Sequence, residues 1–191
     1  LYVPAGGVVF QDFNGYAPLA DKKTQWLSYP DATNAFLFAS WTLSVVGAGV
    51  LPQRAAGIGD AGGSNRDTYD FYLPAGAVLN DYSRAVRVFD VRHNGGRRVT
   101  ICGDRLAGLN GSNSIFECTS LWKDIAGNTI TGGSTQTMIA GSTTENVYTN
   151  FGLNIGIVPA GAESVTLTLQ LRATGVVVGN THAYLSPLGI G

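Results

Sequence analysis

Between Ser164 and Leu171 the chain reads SVTLTLQL, with Val165, Leu167, Leu169 and Leu171 alternating against Thr166, Thr168 and Gln170. A period of two is that of a β-strand with one buried face, so the four apolar side chains are expected in a core and Thr166, Thr168 and Gln170 against solvent or a partner chain. The run is entered through Pro159-Ala160-Gly161, and the same tripeptide precedes two other apolar runs, at 4–6 and 74–76. Proline fixes φ and glycine admits positive φ, so the tripeptide makes a compact turn from which a strand can leave. Similar reasoning predicts strands over 7–13, 35–46, 67–73, 85–92, 97–102, 114–122, 135–140, 146–153, 164–171 and 175–185. The separators are turn-formers: Gly95-Gly96, Asn110-Gly111, Gly127-Asn128 and Gly132-Gly133. Asn110-Gly111 between apolar runs is a hairpin signal. A helical turn is expected at most near 17–27. Many short strands so punctuated predict an all-β protein, an antiparallel two-sheet β-sandwich of jelly-roll type. The aperiodic, glycine-rich stretch 47–66 reads as a long loop.

Length and composition refine this picture. A chain of 191 residues is most simply one domain, 1–191, with room for a substantial core. Charged residues make up 13%, about half the usual share of roughly 25%, which suggests the polar, uncharged surface of an extracellular or virion-borne β protein. The net charge is −1, with no basic stripe to follow a nucleic-acid backbone. Arg92, Arg97 and Arg98 around His93-Asn94-Gly95-Gly96 read as a solvated hairpin. The most apolar stretch, FLFASWTLSVVGAGVL at 36–51, is shorter than a membrane span and is broken by Ser40, Thr42 and Ser44. The chain opens on Leu1, which suggests processing or excision from a longer polypeptide.

Candidate chemistry is sparse. Gly57-Ile58-Gly59-Asp60-Ala61-Gly62 spells a dinucleotide fingerprint without the strand before it and the helix after it that the motif requires. The histidines are His93 and His182 alone, with no zinc-ligand spacing and no G-x-S-x-G elbow. Asp67 and Asp70 with Asp60 are the best pair-forming carboxylates for glycosidic chemistry. Asp60, Asn65, Asp67 and Asp70 form an oxygen-rich set that calcium would suit; solvated turn residues are the default, and no cofactor is expected. Cys102 and Cys118 flank the hairpin predicted at Asn110-Gly111, either opposite each other within disulfide reach or as two buried free thiols. Asn110-Gly111-Ser112 also spells a glycosylation acceptor that the turn already explains.

The second half carries a recognisable order. RVTICGDR is followed by SIFECTSLWKDIAGNTI and GSTTENVYTNFGLNIGIVPAGAESVTLTLQLRATG. Trp122-Lys123-Asp124-Ile125-Ala126-Gly127-Asn128 makes a W-x-D-x-x-G-N hairpin. Ser142-Thr143-Thr144 leads to Tyr148 and Phe151, and Pro159 opens a closing strand to Leu171. Over roughly 97–185 this resembles the galactose-binding-like, carbohydrate-binding-module β-sandwiches of bacteriophage tail fibres and tailspikes. VVFQDFNGY and QWLSYPD faintly resemble the opening of such modules. The resemblance implies a fold and a virion setting; AYLSP lacks the acidic residue with which several such modules close, so no ligand set transfers.

These readings lead to a non-enzymatic virion surface module, a fibre, spike or capsid-decoration protein acting in assembly and host attachment. Its expected partners are other virion proteins and further copies of itself, a trimer by resemblance, with no nucleic acid and no membrane span. The alternative is a glycan-binding module for a bacterial envelope polysaccharide; a polysaccharide hydrolase ranks third. Sugar sites need aromatic platforms beside hydrogen-bonding groups. The candidates are Trp26 and Tyr29, together with Arg66, Asp67, Tyr69, Asp70 and Tyr72.

Overall fold

The computed structural model describes residues 41–63, 65–92, 95–109, 113–141, 143–185 and 189–190. Strands expected at 7–13 and over 35–40 lie outside the described residues, as do the first Pro-Ala-Gly turn, His93 and Asn110-Gly111-Ser112. Every regular element among the described residues is a strand, and the strands form two antiparallel sheets. The protein is an all-β sandwich.

The first sheet is built on β3 (Asn65–Leu73), β5 (Arg98–Leu109) and β10 (Thr181–Leu185). In it β2 (Val50–Gly59) pairs with β3, β3 with β10, and β10 with β5. β8 (Thr149–Ile157) and the short β11 (Gly189–Ile190) also pair with β5. The second sheet has the order β1-β4-β9-β6-β7, from β1 (Thr42–Val46), β4 (Tyr82–Asp90), β9 (Ser164–Ala173), β6 (Ser114–Lys123) and β7 (Thr129–Ile139).

The period-two pattern places the core where it was expected. Val165, Leu167, Leu169 and Leu171 are each at most 2% exposed and share one cluster spanning both sheets with Phe116 and Trp122 of the adjacent β6 and Phe71, Leu73 and Ile101 of the other sheet. Phe71 of the first sheet meets Phe116 of the second at 5.0 Å between ring centroids. Thr166 and Thr168 point outward and are half-buried. Gln170 differs from expectation: it is on the outer face yet only 7% exposed, because Arg84 and Glu117 on the flanking strands close over its amide.

Both described Pro-Ala-Gly turns close as predicted. Ala77 N donates to Pro74 O and Ala162 N to Pro159 O, each at 3.2 Å, and Gly76 and Gly161 have φ of 87° and 80°. Positive φ at the third position of a four-residue turn is the mark of a type II turn. The fourth residue, Ala77 or Ala162, is buried. The W-x-D-x-x-G-N segment makes the β6–β7 hairpin. Asp124 accepts from the backbone N and side-chain amide of Asn128 at 2.8 and 3.0 Å, and these bonds hold its carboxyl below the ordinary carboxylate range.

Two expectations are corrected. The long loop over 47–66 is instead β2 and its flanking turns, with register shifts against β3 between Val50 and Gln53 and between Ala55 and Ile58. Glycine and proline irregularities hid this strand: Pro52 is buried within it, and Gly57 has φ of 64° at the second shift. The hairpin between 97–102 and 114–122 does not form either. β5 belongs to the first sheet and β6 to the second, so Cys102 stands opposite Gly152 and Gly189 while Cys118 is a free, buried thiol in the other layer.

Candidate functional site

The outer face of the first sheet carries an aromatic stack. In β10, Thr181, Ala183 and Leu185 are buried and His182 and Tyr184 half-buried, so alternation turns the two rings away from the core. Tyr72 of β3 is directly opposite His182, and Asp70 is opposite Tyr184. The Tyr72 and His182 rings lie 4.4 Å apart at an interplanar angle of 10°, and those of His182 and Tyr184 lie 5.3 Å apart at 7°. Three rings thus run nearly parallel across two strands. Each stacked pair contributes about 0.5–1.5 kcal/mol beyond burial.

Asp70 fixes the middle ring. A 2.9 Å hydrogen bond joins its Oδ1 to His182 Nδ1, which sets the imidazole's orientation. Asp70 is only 4% exposed, flanked in register by Gln53 and Tyr184. Its Oδ2 has no partner among the described residues and remains an acceptor. Burial, and then the Asp70 charge, push the Tyr184 phenol up to about 12, so at neutral pH it keeps its proton and can donate. On the other side of β10, Gly108 is opposite His182. Next to it on the same face Leu106, 7% exposed, is opposite Tyr184, so a small and a buried apolar residue of β5 flank the stack.

Of the residues singled out in the sequence, Asp70 and Tyr72 come together at this site. Tyr69 does not; it points inward and is 5% exposed, part of the core. Arg66 and Asp67 are placed in β3 by their backbone, Arg66 opposite Ile58, and their side chains lie outside the described set. Trp26 and Tyr29 lie outside the described residues. Asp60 accepts from Tyr148 N at 2.9 Å, tying the β2–β3 turn to the segment before β8; it is engaged away from Asp70. Among the described residues no three His, Cys, Asp or Glu side chains converge to hold a metal ion. No helix among them is long and apolar enough to cross a membrane.

Sequence reading passed over His182 and Tyr184. Their signal was THAYL itself, where two ring-bearing residues alternate with positions that the core claims. Their partnership with Tyr72 and Asp70 spans more than a hundred residues and exists only through the β3–β10 pairing.

No family model matches the chain, and no curated protein matches it in sequence. Solved structures do resemble it. The enzymatically active domain of bacteriophage CBA120 tailspike protein 4 superposes with a TM-score of 0.58 at 14% identity, covering 87% of this chain and 21% of that one. A carbohydrate-binding module of the β-sandwich superfamily, from a study of promiscuous specificity, superposes with a TM-score of 0.53 at 7% identity, covering 80% and 57%. The chain thus spans about a fifth of the tailspike chain and just over half of the module's chain. The fold is that of the carbohydrate-binding-module β-sandwiches.

Proposed function

We propose that this chain is a non-enzymatic glycan-binding module of a bacteriophage virion surface, serving host attachment. The observation that carries the reading is the parallel stack of Tyr72, His182 and Tyr184 beside the buried Asp70, whose Oδ2 has no partner among the described residues. A sugar ring offers C–H groups on its face and hydroxyls at its edge, so it needs an aromatic face beside hydrogen-bonding partners. Tyr72 and Tyr184, as the outer members of the stack, supply the faces; Asp70 Oδ2 and the Tyr184 hydroxyl supply an acceptor and a donor. The likeness to a tailspike domain supports the virion setting, and with it an extracellular location, other virion proteins as neighbours and a homo-oligomer, a trimer in this reading. In this reading no cofactor takes part, and Asp70 orients His182 through their 2.9 Å hydrogen bond rather than serving in a hydrolytic carboxylate pair.

An assembly role is the second reading. The turns 74–81 and 174–180 are zipped by Gly76 N to Val177 O and Val177 N to Ala77 O. They leave Val78, Leu79, Val176 and Val178 between 52% and 73% exposed at one end of the sandwich. A contact with a neighbouring virion chain would cover them.

Affinity electrophoresis on neutral polysaccharides (xylan, galactan, mixed-linkage β-glucan and capsular glycans) tests the first reading. At least one polymer should retard the protein, Tyr72→Ala should lose about tenfold or more in affinity, and no reducing ends should be released. Retardation unchanged in both Tyr72→Ala and Tyr184→Ala, or none on any polymer, would remove this site from consideration.

A further inference from the structure

The outer face of the second sheet holds an arginine prepared for an anion. Arg84 of β4, Gln170 of β9, Glu117 of β6 and Thr137 of β7 stand in one row across the sheet. Arg84 Nε donates to Gln170 Oε1 at 2.6 Å, and Gln170 Nε2 donates to Glu117 Oε1 at 3.1 Å. Arg172 donates to both oxygens of Glu117, at 3.0 and 3.4 Å. The Arg84 guanidinium lies over the Tyr82 ring, 3.8 Å from its centroid. Glu117 is therefore matched by Arg172, while among the described residues Arg84 has a ring beneath it, an amide at its Nε, and no carboxylate. Its two Nη groups have no partner among the described residues.

We propose that Arg84 is a carboxylate-binding position for an acidic polysaccharide, on the face of the sandwich opposite the aromatic stack. The guanidinium fork matches a carboxylate in bidentate fashion, and the chain of side chains that fixes it has already met the ordering cost of binding. The adjoining row favours a sugar polymer as the bearer of that carboxylate. It runs Val86, Thr168, Thr119 and Thr135, with Thr119 and Thr135 sharing a 2.9 Å hydroxyl contact. Hydroxyls on adjacent strands, about 4.8 Å apart, give a ribbon of paired donors and acceptors beside one cationic fork. A protein partner fits less well, because the centre of a protein interface is depleted in charge and here the Glu117–Arg172 pair occupies the centre. A nucleic acid needs several phosphate contacts, and Arg84 is one surplus charge.

The test uses affinity electrophoresis and calorimetry of the full chain with polygalacturonate, alginate and hyaluronan, each beside its carboxyl-esterified form. At least one acidic polymer should bind, its ester should not, and raised salt should weaken the complex. Arg84→Gln should lose about tenfold or more. Arg84→Lys, which keeps charge but not the fork, should recover only part of that. Tyr72→Ala should leave acidic binding intact, so failure of this site and of the aromatic site are separable. Melting curves of both Arg84 variants confirm the fold. Binding that is absent for all three polymers, equal for the esters, or unchanged in folded Arg84→Gln overturns the proposal. So does self-association by light scattering that disappears with Arg84→Gln, since the occupant would then be a second copy.

Discussion

Cys118 shows how one buried group couples the fold to pH. It lies on the inward face of β6, 1% exposed, and burial pushes its thiol up to about 12 from a value of 9.0. Charging it inside an apolar cluster is disfavoured, so the unfolded chain gives up this proton before the folded one does. The stability it contributes is complete below about pH 9 and is lost as pH rises toward about 12, at no more than about 1.4 kcal/mol per pH unit. Tyr184, also raised to about 12, adds to the loss above about pH 10; being half-exposed, it adds less. Urea unfolding at about pH 8 to 10.5 should show wild-type stability falling by about 1–2 kcal/mol over the upper part of that range. Cys118→Ala should start lower, since it leaves a small cavity, and then fall with a shallower slope. Equal slopes in the two proteins would mean that the thiol is not desolvated.

At the scale of elements, the Pro-Ala-Gly-Ala turns separate backbone strain from crowding. A Cβ at Gly161 meets nothing within 4 Å, so any loss on substitution comes from φ of 80°, which costs an L-residue about 1–2 kcal/mol and a β-branched one more. Gly161→Val should therefore lower the melting midpoint clearly and Gly161→Ala less, while Ala160→Ser, beside it and exposed, should be nearly neutral. An unmoved midpoint for Gly161→Val would contradict the turn. The turns, and the strand that Pro159-Ala160-Gly161 opens, were legible in the sequence because both are local: a positive-φ glycine and a period of two need only neighbouring residues. After Pro74-Ala75-Gly76, by contrast, the apolar Val78 and Leu79 stay in the turn and β4 starts only at Tyr82. Partner choice was not legible. Asn110-Gly111 looked like a hairpin, yet β5 before it belongs to the first sheet and β6 after it to the second, and nothing in a dipeptide distinguishes a return from a crossover. β2 was missed because its two register shifts interrupt the alternation that marks a strand.

Across the whole molecule, consecutive strands from β3 to β6 and from β8 to β10 change sheets at every step, so each outer face is assembled from distant segments. That is why Asp70 and Tyr72 could be singled out from the sequence while their partners His182 and Tyr184 could not. It also makes one core serve both faces, and β9 tests this directly. As the central strand of the second sheet, between β4 and β6, β9 turns Leu167 inward at 0% exposure and Thr168 outward between Val86 and Thr119. Removing the Leu167 side chain takes packing from both sheets, and Leu→Ala in such a site costs about 2–5 kcal/mol against a total of about 5–15. Thr168→Ala removes an outward, half-buried side chain and should cost under about 1 kcal/mol. Chemical unfolding followed by tryptophan fluorescence and by far-UV circular dichroism should give coincident transitions for both variants, with Leu167→Ala shifted far more. Separate transitions for Leu167→Ala would mean that the sheets unfold independently. Equal losses for the two variants would mean that β9 is covered on both sides, and the outer face of the second sheet would then be closed to any ligand.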